Sequence, residues 1–341
     1  MHKHVLYCAD QNYFPYVMVS LRSLLVNSQK SNEFFVHFFV DNDDASSHPW
    51  FVKLQSEFVF QCHFYNLSNF DALSAVSHQG YYSPYACARL FLHELLPDHV
   101  NKVLYLDVDT LVLRDLESLF QLNIDEYPIA AVQDLSSPKR ITNRRHLGLD
   151  EEFYINSGVM MINLNHWRQC HISQLWMDFI DRDTTKQYSR MMDQDFLNAV
   201  FGRQIQTLPP IYNAFTLVKP IYEASGYTVF NQRHYAEFLS TRDLEDECVI
   251  RHFVGKYKPW QFKRILMSFK GNCLDTIRHL RLWYSYQSFF MSKKDRITFN
   301  KHVIFSLPYR AIASVMSPTI MFFKRKRIKK SSQNILDTST P

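Results

Sequence analysis

The sequence has little glycine, no closely paired cysteines and no long apolar run. Only 7 of its 341 residues are glycine, which excludes collagen-like and glycine-rich low-complexity chains. Its 6 cysteines form no CxxC pair, so the sequence predicts neither a zinc ribbon nor a dense disulfide framework, and a reducing cytoplasm fits best. The apolar stretch at residues 5–9 is too short for a signal-peptide core, and we therefore expect no export.

Acidic residues are scarce at the end of the chain. Residues 291–341 contain eleven Lys or Arg and only two acids, Asp295 and Asp337. The apolar segment 311–323 contains Pro318 and is shorter than the roughly 20 residues that cross a bilayer. Its position beside the basic run 324–330 favours peripheral attachment to an anionic membrane surface. The alternatives are a helical subdomain and a basic patch that binds nucleic acid. Because the sequence resembles no nucleic-acid-binding fold, we expect no nucleic-acid partner.

The rest of the composition is typical of a globular protein, since 15% of the residues are aromatic, far more than a disordered chain carries. Up to about residue 165, apolar runs alternate with helix-like stretches, which predicts a Rossmann-like unit with a mainly parallel sheet. The predicted helices are residues 16–25 and 83–95, each with one apolar face. The predicted strands, whose continuous hydrophobicity indicates burial on both faces, are residues 5–9, 34–40, 59–65, 103–106, 129–132 and 158–163.

The composition of the sequence changes near residue 265, where aromatic and basic helix-like segments such as 280–290 begin. We therefore predict three regions: an α/β domain over residues 1–265, a helical, membrane-associating region over 266–330, and a disordered tail over 331–341.

Two acids spaced by one residue follow the apolar run 103–106. If the strand continues, Asp107 and Asp109 point to the same side and can hold Mg²⁺ or Mn²⁺. Solvated acids at a strand end are the ordinary alternative. A second alternative is a phosphatase of the haloacid-dehalogenase kind with Asp107 as the nucleophile. That signature is only partly met, because Thr110 comes one position early and no later GDxxxD motif follows.

Five further motifs accompany this pair in a fixed order. They are ADQNY at 9–13, YACARL at 85–90, YINSGV at 154–159, MDQD at 192–195 and HFVGKYKPW at 252–260. Over about residues 4–262 the sequence resembles the family 8 glycosyltransferases, in particular bacterial lipopolysaccharide and lipooligosaccharide galactosyl- and glucosyltransferases. The resemblance implies a single GT-A type nucleotide-sugar-binding domain, with the helical arm after it.

The resemblance also implies a UDP-hexose donor and the residues that hold it. The uracil and ribose are expected at the first motif, where Tyr13 can stack on the base. Other positions are expected to contact the diphosphate or the sugar. The donor-binding set is Ala9, Asp10, Asn12, Tyr13, Arg89, Asp107, Val108, Asp134, Asn156, Gly255 and Lys258. Ordinary structural roles are the alternatives: a helix cap for Asp10, a surface cation for Arg89 and a turn residue for Asn156.

His252 is expected to join Asp107 and Asp109 as the third protein ligand of Mn²⁺, with Mg²⁺ as the alternative ion. A lone histidine is more often structural, but the resemblance extends to the glycine and lysine that follow it. Lys258 would neutralise the diphosphate, and Gly255 would let the backbone approach it.

Asp193, Gln194 and Asp195 are the expected catalytic residues of a retaining transferase. The family places Gln194 near the anomeric carbon, where an amide is a poor nucleophile. Front-face substitution and a covalent intermediate on Asp195 both stay open. By analogy, the acceptor is a lipid-linked oligosaccharide of the lipopolysaccharide core at the cytoplasmic face of the inner membrane. A non-catalytic saccharide-binding protein on the same fold is a further alternative.

Overall fold

The computed structural model describes residues 2–71, 84–134, 153–182, 192–215, 247–254, 258–261 and 273–297. The chain divides into two compact units, residues 1–254 and 255–341. The ten described strands are β1 (Lys3–Cys8), β2 (Phe34–Val40), β3 (Gln61–Asn66), β4 (Lys102–Leu106), β5 (Thr110–Val112), β6 (Ile129–Gln133), β7 (Ile155–Asn163), β8 (Gln206–Thr207), β9 (Ala214–Phe215) and β10 (Ile250–His252).

The described α-helices of the first unit lie mostly between these strands. They are α1 (Phe14–Asn27), α2 (Pro49–Gln55), α3 (Pro84–Cys87), α4 (Leu92–Leu95), α5 (Glu117–Gln121), α6 (Leu164–Cys170), α7 (Ile172–Arg182) and α8 (Met192–Phe201). The predicted helix 83–95 is described from Pro84 and is interrupted by a 3-10 turn at Ala88–Phe91.

The large sheet of the first unit has the strand order β3-β2-β1-β4-β7-β6-β8. Neighbours β3, β2, β1 and β4 all run parallel, and β8 runs parallel to β6. Among these described strands, only β7 opposes its two neighbours, β4 and β6. The prediction of a mainly parallel sheet is therefore confirmed, and the parallel strands end together at one edge, where α/β proteins form their ligand crevice.

The predicted burial of the strands holds at the centre of the sheet and is wrong at its edge. All nine residues of β7 are buried, and this strand lies in the interior of the sheet between β4 and β6. The predicted strand 59–65 instead begins at Gln61, and Val59 is 77% exposed. β3 is an edge strand with exposed positions, so its apolar run did not indicate a two-sided core.

Helix α1 packs with the face that its sequence predicts. Val17, Leu21, Leu24 and Leu25 are all buried. Ser20 and Ser23 are buried on the same helix and connect it to β5: the Ser20 hydroxyl lies 3.0 Å from that of Thr110, and Ser23 Oγ accepts from the Val112 N–H at 2.8 Å. The helix is thereby attached to the strand that follows the two acids.

A second, three-stranded sheet has the order β5-β10-β9. β10 is antiparallel to β5 and parallel to β9. Each strand has only two or three residues, too few for a hydrophobic period, and the sequence did not predict this sheet. It brings residues 250–252 beside the turn that carries the acids.

The described part of the second unit contains the helix α9 (Cys273–Gln287) and a 3-10 turn at Pro259–Gln261. The ring of Trp260 packs 5.3 Å from that of the buried Trp283. None of the described helices combines the length and hydropathy needed to cross a membrane. The basic and apolar segments after residue 297 and the tail 331–341 lie outside the described residues, so the domain boundary near 265 and the membrane-associating arm stay predictions.

Candidate active site

The two acids lie on a turn, so the predicted continuation of the strand through Asp107 and Asp109 is wrong. β4 ends at Leu106, and the chain turns before β5 begins at Thr110. Thr110 closes the turn, because its backbone N–H and its hydroxyl both donate to the Asp107 carbonyl oxygen, at 3.2 and 2.8 Å. Both carboxylates nevertheless face one point.

His252 reaches that point from the end of β10. It pairs in register with Thr110, and the following Phe253 donates its N–H to the Asp109 carbonyl oxygen at 2.9 Å. The imidazole Nε2 lies 3.3 Å from Asp109 Oδ1 and 3.6 Å from Asp107 Oδ2. One donor atom from each residue lies within 4.8 Å of the other two, so these three residues form a group that could hold a metal ion.

A glycine on β7 makes room for this group. A Cβ at Gly158 would lie 2.2 Å from His252 Cε1 and 2.7 Å from Asp107 Oδ2, far inside van der Waals contact. The Gly158 carbonyl oxygen also accepts the Asp107 N–H at 2.8 Å. The residue is therefore required for the close approach of three chain segments, a role that its sequence motif alone does not reveal.

Arg89 is buried, and the surface-cation alternative is wrong. Its guanidinium pairs with Asp107 Oδ1 at 3.1 Å and Asp193 Oδ2 at 3.3 Å, and it donates to the Ser157 carbonyl oxygen at 2.9 Å. It also lies over the ring of Tyr105, 4.1 Å from the centroid. Burial alone would lower the pKa of Arg89, but Tyr105 and the two carboxylates raise it well above its usual value. The group therefore stays charged.

The acids of the MDQD motif differ in environment, although both lie on α8. Burial raises the pKa of Asp193, with a smaller contribution from the charge of Asp107, while Arg89 opposes the shift. Asp195 has no solvent-exposed surface, and its carboxylate accepts a hydrogen bond from the Tyr154 hydroxyl. A substrate atom can therefore reach Asp195 only if its surroundings move.

An amide network joins the remaining predicted sugar-binding residues. Asp134 Oδ2 accepts from Gln194 Nε2 at 3.0 Å and from Asn156 Nδ2 at 3.2 Å. Gln194 Oε1 in turn accepts the Ser157 N–H at 3.1 Å. Asn213, which belongs to none of the sequence motifs, connects this network to the imidazole of His252.

The part of the chain that carries these motifs matches a known protein family. The family model described as Glycosyl transferase family 8 matches residues 4–264. The chain belongs to glycosyltransferase family 8. The resemblance found in the sequence is thereby confirmed, and family membership favours sugar transfer over the phosphatase alternative.

Two relatives match most of this glycosyltransferase. General stress protein A of Bacillus subtilis is 28% identical over 258 residues, which cover 75% of this chain and 87% of that protein. Lipopolysaccharide 1,2-glucosyltransferase of Escherichia coli is 26% identical over 256 residues, which cover 74% of this chain and 71% of that protein.

A solved structure shows the same fold. The crystal structure of the galactosyltransferase LgtC, in complex with donor and acceptor sugar analogues, aligns with a TM-score of 0.63 at 20% identity. The alignment covers 86% of this chain and 99% of that chain. The predicted GT-A type fold is confirmed by this likeness.

The glycosyltransferase places its first motif directly after β1. Asp10 Oδ1 accepts the backbone N–H groups of Asn12 and Tyr13, at 2.9 and 3.2 Å, so this carboxylate does stabilise the turn before α1. Asn12 is exposed and Tyr13 is 38% exposed, which leaves the phenol ring accessible to a base. Ala9 is buried, and its N–H donates to the Phe39 carbonyl oxygen.

The other predicted donor-binding positions are Val108, Asp134, Gly255 and Lys258. Val108 lies half-buried between the two acids, and Asp134 follows β6, where its N–H donates to the Tyr154 carbonyl oxygen. Gly255 lies outside the described residues. Lys258 precedes the 3-10 turn of the second unit. The roles assigned to all of these residues stay predictions.

Proposed function

We propose that this family 8 glycosyltransferase transfers galactose or glucose from UDP, with retention of configuration, to the core saccharide of lipopolysaccharide or lipooligosaccharide. The observation that supports a metal-dependent transfer is the convergence of Asp107, Asp109 and His252. The acceptor is supported by the glucosyltransferase of Escherichia coli, whose name specifies lipopolysaccharide.

The three converging side chains fit a divalent cation. Two carboxylate oxygens and one imidazole nitrogen form a mixed donor set that suits Mn²⁺, whereas Mg²⁺ prefers oxygen alone. Because Gly158 has no side chain, it leaves the space in which His252 and Asp107 approach each other. When bound, such an ion polarises the diphosphate and makes UDP a better leaving group.

The chain's own residues would orient the donor around this ion. Tyr13 offers an exposed ring for uracil, and Arg89 places a permanent positive charge beside Asp107. Asp193 and Asp134 offer carboxylate oxygens that can accept hydrogen bonds from hexose hydroxyls. Lys258 is proposed to neutralise the diphosphate.

The burial of Asp195 supports front-face substitution, in which the acceptor attacks from the side that UDP leaves. Gln194 belongs to the amide network, and the Ser157 N–H holds its Oε1 in place. This oxygen carries a partial negative charge, which can stabilise the positive charge that develops at the anomeric carbon. A double displacement would need a carboxylate at that carbon, and Asp195 is bonded to Tyr154 instead.

In this proposal, membrane attachment brings the enzyme to its lipid-linked acceptor. It is supported by the eleven basic residues that follow position 290 and by the apolar residues among them. We place the enzyme on the cytoplasmic face of the inner membrane, where an anionic surface attracts such a segment.

The test is sugar transfer from UDP-glucose and UDP-galactose to lipopolysaccharide core, with Mn²⁺ and with EDTA. We expect EDTA and Asp109→Asn each to abolish transfer, while Asp44→Asn, an exposed acid outside the site, leaves it unchanged. Transfer that is indifferent to both would refute the metal assignment. Release of inorganic phosphate would support the phosphatase, and saccharide binding without UDP release would support the non-catalytic alternative.

A further inference from the structure

Asn213 lies between the proposed metal site and the amide network. It ends a 3-10 turn at Pro210–Asn213, just before β9, and is 1% exposed. Its Nδ2 lies 2.9 Å from Asn156 Oδ1, and its Oδ1 lies 2.8 Å from the Nδ1 of His252. One buried side chain thus contacts both sets of residues.

Backbone groups determine how these amides are oriented. The N–H of Gly158 can only donate, and it points to a side-chain atom of Asn156 at 3.0 Å, so that atom must be the oxygen Oδ1. The Asn213 atom that faces the same oxygen must then be the NH₂ group, which donates. The opposite atom of Asn213, its oxygen, therefore faces His252.

This orientation decides the tautomer of His252. A carbonyl oxygen cannot donate, so the Nδ1 that lies 2.8 Å from Asn213 Oδ1 must carry a hydrogen. A neutral imidazole with its proton on Nδ1 has its lone pair on Nε2, the atom that faces Asp107 and Asp109. In water the other tautomer is the commoner one, so the protein selects the form that can bind a cation.

We infer that Asn213 is a positioning residue that fixes the tautomer and the ring orientation of His252 for metal binding. The inference rests on the proposed metal-dependent function. Outer groups that hold a ligating histidine typically contribute about 10- to 100-fold to metal affinity. Through Asn156, the same residue links the metal site to Asp134 and Gln194, so the proposed sugar-binding groups and the metal ligand share one hydrogen-bonded chain.

The experiment compares the full chain with Asn213→Leu and Asn213→Asp. Leucine has a similar volume but cannot accept from Nδ1–H, whereas aspartate still accepts from it and cannot donate to Asn156. Mn²⁺ binding in the presence of UDP is measured by electron paramagnetic resonance. The tautomer is measured without metal, from ¹⁵N imidazole spectra at alkaline pH, with His252→Gln used to assign the signal.

We expect the Nδ1–H tautomer in the wild type and in Asn213→Asp, and the Nε2–H tautomer in Asn213→Leu. The leucine variant should bind Mn²⁺ about 10- to 100-fold more weakly, and the aspartate variant within about threefold of the wild type. A leucine variant that keeps both the tautomer and the affinity overturns the inference. If that variant does not fold, the Nε2–H tautomer in Asn213→Asp overturns it instead.

The two readouts separate this inference from the proposed function. A wild type that binds no Mn²⁺ with UDP refutes the metal-dependent transfer, whatever the tautomer. A wild type that binds Mn²⁺ but has its proton on Nε2 of the free imidazole refutes only the role of Asn213. A role in folding alone would lower the melting temperature without moving the tautomer.

Discussion

Adding one methyl group at Gly158 should disable the proposed metal site. An ordinary contact begins at 3.4 Å, whereas the new Cβ would lie 2.2 Å from His252 Cε1, so the ring must retreat by about 1.2 Å. The backbone of β7 cannot move away easily, because the Gly158 carbonyl oxygen is bonded to the Asp107 N–H. Metal sites tolerate deviations of only about 0.2 Å in their bond lengths. Gly158→Ala should therefore weaken Mn²⁺ binding at least about 100-fold.

The same overpacking should lower the free energy of unfolding by about 1 to 3 kcal/mol. Mn²⁺ titration with UDP and urea unfolding measure the two effects. Gly202→Ala is the matched control, because Gly202 has a φ of 48° and no neighbour within 4 Å of an added Cβ. It should cost about 1 kcal/mol through backbone strain and leave Mn²⁺ affinity unchanged. A folded Gly158→Ala variant with wild-type Mn²⁺ affinity would show that Asp107, Asp109 and His252 do not form the metal site.

Three further predictions concern buried charge and pH. Arg89→Met should lower the free energy of unfolding by about 3 to 5 kcal/mol in urea titrations, since Asp107 and Asp193 lose their buried cation, and a loss below about 1 kcal/mol would contradict the buried pairing. Tyr154→Phe should cost about 1 to 3 kcal/mol in the same assay, because the buried Asp195 loses a hydrogen-bond donor; no change would mean that another group replaces it. Burial lowers the pKa of His4 to about 4 and that of His37 to about 3, so their neutral forms are favoured in the folded state. Stability is therefore full above about pH 6.5 and falls as the pH drops toward these values, by about 2 kcal/mol at pH 5 for the buried His37 and by less for His4, whose partial exposure to water weakens the effect. His37→Gln should remove its share of this loss, and an unchanged difference between pH 7 and pH 5 would contradict the assignment.

The fold could be predicted where strands are long and buried. The apolar runs that predict β1, β2, β4, β6 and β7 each extend over four or more residues, and the helix α1 has a regular apolar face. β5, β8, β9 and β10 are too short to produce a period, so the small sheet could not be found this way. The edge strand β3 has an apolar run without two-sided burial.

The site was only partly accessible to sequence reasoning. Asp107 and Asp109 stand out as a local pattern, although they lie on a turn. Nothing local connects them to His252, and only the resemblance to family 8 predicted that partner. Asn213 follows two prolines in a stretch without a motif, and its role depends on contacts with residues far away in the chain. Gly158 was visible within a motif, but its steric role emerges only when three segments are brought together.

A cation bound beside the three-residue strand β10 would also have a mechanical effect on the chain. The carboxylates and the imidazole that face one another are separated by about 140 residues, and fixing so long a loop costs conformational entropy. An ion held by all three side chains acts as a reversible cross-link between these distant parts of the chain. Loading the enzyme with metal and nucleotide should consequently slow proteolysis between the second acid and the imidazole.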